Sequence, residues 1–110
     1  FKAAVGGFHF EDLAKYCVAL ANEGGGRIVL GVTDKRPRRV VGTKAFDEPG
    51  RTEAGLYKQL GHRVSIEEYR DEGRRVLIVH VPSRLPGTAW HDRGTYWMRA
   101  GESLVPMSDE

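Results

Sequence analysis

Lys35, Arg36, Arg38 and Arg39 put four cations within five positions, and Pro37 among them marks a turn. Guanidinium groups take phosphate through two parallel hydrogen bonds, and a protruding basic turn can follow a phosphate backbone. The pattern points to a polyanion, although the same residues also read as a solvated turn. Other chemistry is sparse. Gly24-Gly25-Gly26 has the glycine content of a phosphate loop, but it lacks the Gly-Lys-Ser/Thr ending and follows a helical pattern instead of opening one. His9, His62, His80 and His91 show neither metal-ligand spacing nor a nucleophile to activate, and His80 reads as a strand-end residue. The single cysteine, Cys17, excludes an internal disulfide and a cysteine-based zinc site; it falls on an apolar helical face, as a core residue would.

Composition sets the frame for these residues. The chain has 110 residues, 40% apolar and 29% charged, which suits one domain with a real core and argues against disorder. No apolar run is long enough for a membrane span or a signal peptide, so no membrane partner is expected and a cytoplasmic setting fits. The net charge of +2 hides an asymmetry: from Arg27 to Lys44 there are six basic residues and one acid, Asp34, while Glu67, Glu68, Asp71 and Glu72 cluster elsewhere. Such asymmetry agrees with a nucleic-acid partner. The chain starts at Phe1 and ends at Ser108-Asp109-Glu110, where Ser followed by acids reads as the start of a helix. It is expected to be a single domain, 1–110, cut at both ends.

The elements that must position the cations follow from periodicity. Phe1 to Val5 reads as a strand remnant. Phe10, Leu13, Ala14, Cys17 and Ala21 recur at helical spacing, which predicts a helix over 10–22 stopped by the glycines at 24–26. Asn22, near that helix end, is expected to bond nearby backbone. Arg27 to Val32 is a continuous apolar strand expected at the centre of a sheet, and Gly31 inside it implies that another backbone or a side chain packs closely there. The polar turn 33–39 leads to a returning strand at Val40-Val41-Gly42. A second helix is expected from a Thr52 cap to Gly61, burying Leu56, Tyr57 and Leu60. Val64 to Arg70 reads as an exposed strand, Asp71-Glu72-Gly73 as a turn, Arg75 to Val81 as a second central strand, and Thr95 to Ala100 as the last one. The fold class is α+β, a mixed β-sheet packed by two helices. Exposed strand edges would also let the domain pair with a second copy.

Several segments together resemble the Schlafen AlbA_2 family, formerly called divergent AAA. They are Phe1-Lys2, Ala21-Asn22-Glu23-Gly24-Gly25, Gly31-Val32-Thr33-Asp34, Val41-Gly42, the apolar strand ending in Val81-Pro82, and Tyr96-Trp97-Met98-Arg99-Ala100-Gly101-Glu102-Ser103. The resemblance spans nearly the whole chain in the right order. It implies an AlbA_2-like fold and a nucleic-acid-binding module of a transcriptional-regulator-like protein, with Lys2, Lys35, Arg36, Arg38, Arg39 and Arg99 as contacts. For Arg99 a structural ion pair and a phosphate contact both stand. Family ribonucleases imply an alternative in which three carboxylates hold Mg²⁺ or Mn²⁺. Only the third, Asp34, is in this sequence, the nearer Glu matching the position before Phe1. Asp34 also reads as a plain turn residue, and without the nuclease role no cofactor is expected. Tyr96, Trp97 and Trp90 are the candidate stacking platforms, with core packing expected for at least two of them.

Overall fold

In the computed structural model, residues 1–101 and 103–107 are described. The first helix, α1 (Phe10–Asn22), begins without a side-chain cap, but Glu11 and Asp12 place carboxylates at its positive end. Its inward stripe of Leu13, Ala14, Cys17, Val18 and Ala21 is fully buried, as the helical spacing predicts. The chain then reverses through Gly24 and Gly25. The Gly25 N–H bonds Leu20 O at 2.7 Å, and its φ of 89° leaves a Cβ no room, since one would lie 2.8 Å from Ser83 N.

Strand β1 (Gly26–Leu30) follows at once. It pairs antiparallel with β3 (Arg74–Val81), which also pairs antiparallel with β2 (Ser65–Asp71), giving the order β1-β3-β2. The central strand is therefore β3 alone. β1 is an edge strand whose outer side is closed only by a parallel bridge from Lys2 to Leu30, the one element of the Phe1–Val5 strand that forms. That single bridge gives the sheet its mixed character. Ile28 and Leu30 are nonetheless buried beneath α1, while Val29 on the other face is only partly covered.

Gly31 ends β1 for a packing reason. At φ 99° it brings its backbone against β3, where a Cβ would sit 2.8 Å from Arg75 O. Its carbonyl accepts from both Val41 and Gly42. The expected Val40–Gly42 strand shrinks to one antiparallel bridge, Val32 to Val40.

Helix α2 (Pro49–Leu60) starts three residues before the expected Thr52 cap, because Pro49 suits a first turn whose N–H groups have no partner anyway. Thr52, Leu56 and Leu60 form its inward stripe at four-residue spacing. Tyr57, expected inside, lies one step round the helix and is half exposed, with Arg63 over its ring. Beyond a long loop, β4 (Trp97–Ala100) pairs with β5 (Ser103–Pro106) as a separate two-stranded sheet packed on α1. β5 has no counterpart among the expected strands because Leu104-Val105 is too short a run to stand out. The expected helix start at Ser108-Asp109 and the motif residue Glu102 lie outside the described residues.

One side chain at the end of α1 ties down both β4 and the loop before it. Asn22 Nδ2 donates to Trp90 O at 3.0 Å and Trp97 O at 3.3 Å, while Oδ1 accepts from Trp90 N at 2.8 Å. Arg75 does the same for the 43–46 segment, donating to Ala45 O at 2.5 Å and Phe46 O at 2.7 Å and pairing with Glu68 at 2.5 Å. Among the described residues no helix is long and apolar enough to cross a membrane.

Candidate functional site

The edge of β1 borders an open groove of about 670 Å³. Its polar wall is built from distant parts of the chain. The bridge to Leu30 sets Lys2, β1 sets Arg27, the turn after Gly31 sets Asp34 and Lys35, and β4 sets Arg99. Lys2 Nζ donates to Tyr16 Oη at 3.0 Å from a place over the Tyr16 ring. Arg27 and Lys35 make no ion pair among the described residues. Asp34 Oδ1 lies 4.0 Å from the Phe1 nitrogen, so the turn and the first residues of the chain meet.

The loop above this groove has a fixed neck and a free tip. Thr33 N donates to Arg39 O and Arg39 N to Thr33 Oγ1, both at 2.9 Å. Between them every residue from Asp34 to Arg38 is exposed. Arg38 stacks its guanidinium over the Phe1 ring at 4.3 Å. Arg36 points no polar atom at a partner among the described residues. Arg39 turns away from the groove and lines a depression with Val41, Asp71 and Arg74.

The six predicted contact residues thus divide. Lys2, Lys35 and Arg99 share the groove with Asp34, Arg36 and Arg38 crown the loop, and Arg39 faces the far side. Arg99 is held by Glu23, with Nη2 2.8 Å and Nε 3.0 Å from Oε2, a pairing that raises its pKa further. Arg27 and Tyr16 also line the groove and are not among the expected site residues, because an Arg at a strand start and a Tyr in a helix carry no motif.

Aromatic platforms are few at the groove. Trp90 is buried in the core, stacked on His62 at 4.2 Å, and Trp97 packs against the core under Lys15. Tyr96 is exposed but sits against His91. His80 is paired with Glu67 across the sheet; the Tyr69 hydroxyl, first, and His80 hold the Glu67 carboxyl below its ordinary range. Asp34 is the only carboxylate among the described residues lining the groove, and among those residues no three His, Cys, Asp or Glu side chains converge. One carboxylate does not make a seat for Mg²⁺ or Mn²⁺, which these residues by themselves do not fit.

The Schlafen, AlbA_2 family model matches residues 1–108. The chain belongs to the Schlafen AlbA_2 family. Among solved structures, this AlbA_2 domain is similar to the DIP2311 protein from Corynebacterium diphtheriae, with a TM-score of 0.70 and 24% identity over 89% of this chain. The match covers only 20% of that protein. It is also similar to the N-terminal domain of a RecG-related protein, named for an ATP-dependent DNA helicase, from Nitrosomonas europaea; there the TM-score is 0.54 and the identity 22%, over 98% of this chain and 82% of that one. At these identities both likenesses speak for the fold. No curated protein matches the sequence.

Proposed function

We propose that this AlbA_2 domain binds nucleic acid by its phosphate backbone, with little base selectivity. The observation that carries this reading is the grouping of Lys2, Arg27 and Lys35 in one open groove beneath a loop tip bearing Arg36 and Arg38. Phosphates need cations that are not already engaged with acids. Among the described residues Lys35 and Arg36 have no such engagement, while Arg27 makes no ion pair and feels Glu67 only at longer range. The scarcity of free aromatic faces argues against stacking as the main source of affinity. The wider context proposed is the amino-terminal part of a cytoplasmic, transcriptional-regulator-like protein, which rests on the family alone.

The test is titration of labelled DNA and RNA across several salt concentrations. Replacing Lys35, Arg36, Arg38 and Arg39 by Ala should weaken binding to all sequences alike. It should also lower the salt slope by about 3 in all, at roughly 0.7 to 0.9 for each phosphate no longer neutralised. An unchanged slope would mean that the loop is only solvated.

A metal-dependent ribonuclease remains the second reading because Asp34 sits beside Phe1, where a preceding residue would also lie. With one carboxylate in the groove, residues 1–110 are expected to bind RNA without cutting it in Mg²⁺ or Mn²⁺. Cleavage products on a denaturing gel, absent with Asp34→Ala, would replace the binding reading with the nuclease.

A further inference from the structure

The neck of the 33–39 loop joins two surfaces. Thr33 lines the groove, and its two hydrogen bonds hold Arg39 beside it, yet Arg39 lines the depression on the opposite side. That depression shares Val41 and Arg74 with a second one of about 580 Å³, bordered by Lys44 and Arg70. The charges here differ in what they hold. Arg75 is committed to Glu68 and three backbone carbonyls, and its side chain is only 11% exposed. Its neighbour Arg74 points to the other face of β3 and is exposed. Arg39, Lys44 and Arg74 make no side-chain hydrogen bond or ion pair among the described residues. Asp71 and Asp47 border the same surface and reduce its charge without pairing with these three cations.

Resting on the nucleic-acid reading above, we infer that the phosphate path does not end at the loop. It passes over the neck and continues along Arg39 and Arg74 to Lys44, skirting the acidic β2–β3 turn, so one polyanion strand contacts both sides of the loop. Asp71, opposite Arg74 in the hairpin register, keeps this extension weaker than the groove.

The experiment compares three double variants of the whole chain on one duplex by salt-dependent anisotropy, with circular dichroism to check folding. Lys44→Ala with Arg74→Ala removes the extension, and Lys2→Ala with Lys35→Ala removes the groove. Lys58→Ala with Arg63→Ala removes equal charge from the helix α2 side. The extension pair should lower the salt slope by about 1.8, as freeing two duplex phosphates requires, and the α2 pair should leave it unchanged. A wild-type slope in the extension pair, with a reduced one in the groove pair, would overturn the extension and leave the groove standing. An equal fall in the α2 pair would mean diffuse charge instead of a path. No binding by the wild type would remove both readings.

Discussion

Asn22→Ala tests how much the docking of β4 and the Trp90 loop on α1 owes to one amide. The substitution leaves Trp90 N, Trp90 O and Trp97 O without their partner at a partly buried site. At about 1 kcal/mol net for each hydrogen bond, the expected loss is about 3 kcal/mol. For a domain near this size that corresponds to a fall in Tm of roughly 15 °C. Asn22→Asp sharpens the test, because it keeps the acceptor for Trp90 N but turns a second carboxylate oxygen toward two carbonyls. That repulsion raises the folded-state pKa of the new carboxyl above its unfolded value. The penalty is then full above the folded pKa, fades as pH falls through it, and is gone below the unfolded value of about 4. Urea unfolding at pH 7 and pH 3.5, each against wild type, measures both variants. A loss under about 1 kcal/mol for Asn22→Ala, or no narrowing of the Asp gap in acid, would refute the account.

Glu23→Gln releases Arg99 and removes an acid from beside the groove, so binding should tighten and the salt slope should rise by about 0.9 on duplex DNA. The pair is well exposed, so the same variant should change stability by less than about 1 kcal/mol. Burial pushes the Cys17 thiol up from 9.0 to about 12. Thiol reagents should therefore stay unreactive until the chain unfolds, and this contribution to stability, whole below pH 9, should drain away between pH 9 and 12. Gly31→Ala should cost more than about 2 kcal/mol, since it combines a positive φ with a backbone clash at Arg75 O; a smaller loss by calorimetry would mean the β1 end can shift freely.

The elements legible in the sequence are those whose signal is local. The α1 stripe, the turn at 71–73 and the apolar run of β3 each follow from spacing within a dozen residues. Tyr57 shows the limit, because a helical stripe with two adjacent apolar positions does not say which faces inward. β1 lies at the sheet edge and not at the expected centre for a related reason: α1 buries Ile28 and Leu30 on one face, which mimics the run of a strand with neighbours on both sides. The candidate site was half legible. A cluster of cations in a turn is visible in any sequence, but Arg75 and Arg74 look alike until the fold engages one and leaves the other exposed. Asn22 has the sequence signature of a local cap, whereas its partners lie 68 and 75 residues away.

The closed neck at Thr33 and Arg39 makes the five residues between them a detachable cassette. Their backbone carries none of the sheet's pairing, so a longer, shorter or neutral insert between the same two hydrogen bonds would alter the charge presented above the groove without retuning how the domain folds. The tip can therefore be exchanged by grafting, with the β1–β3 register as a constant frame.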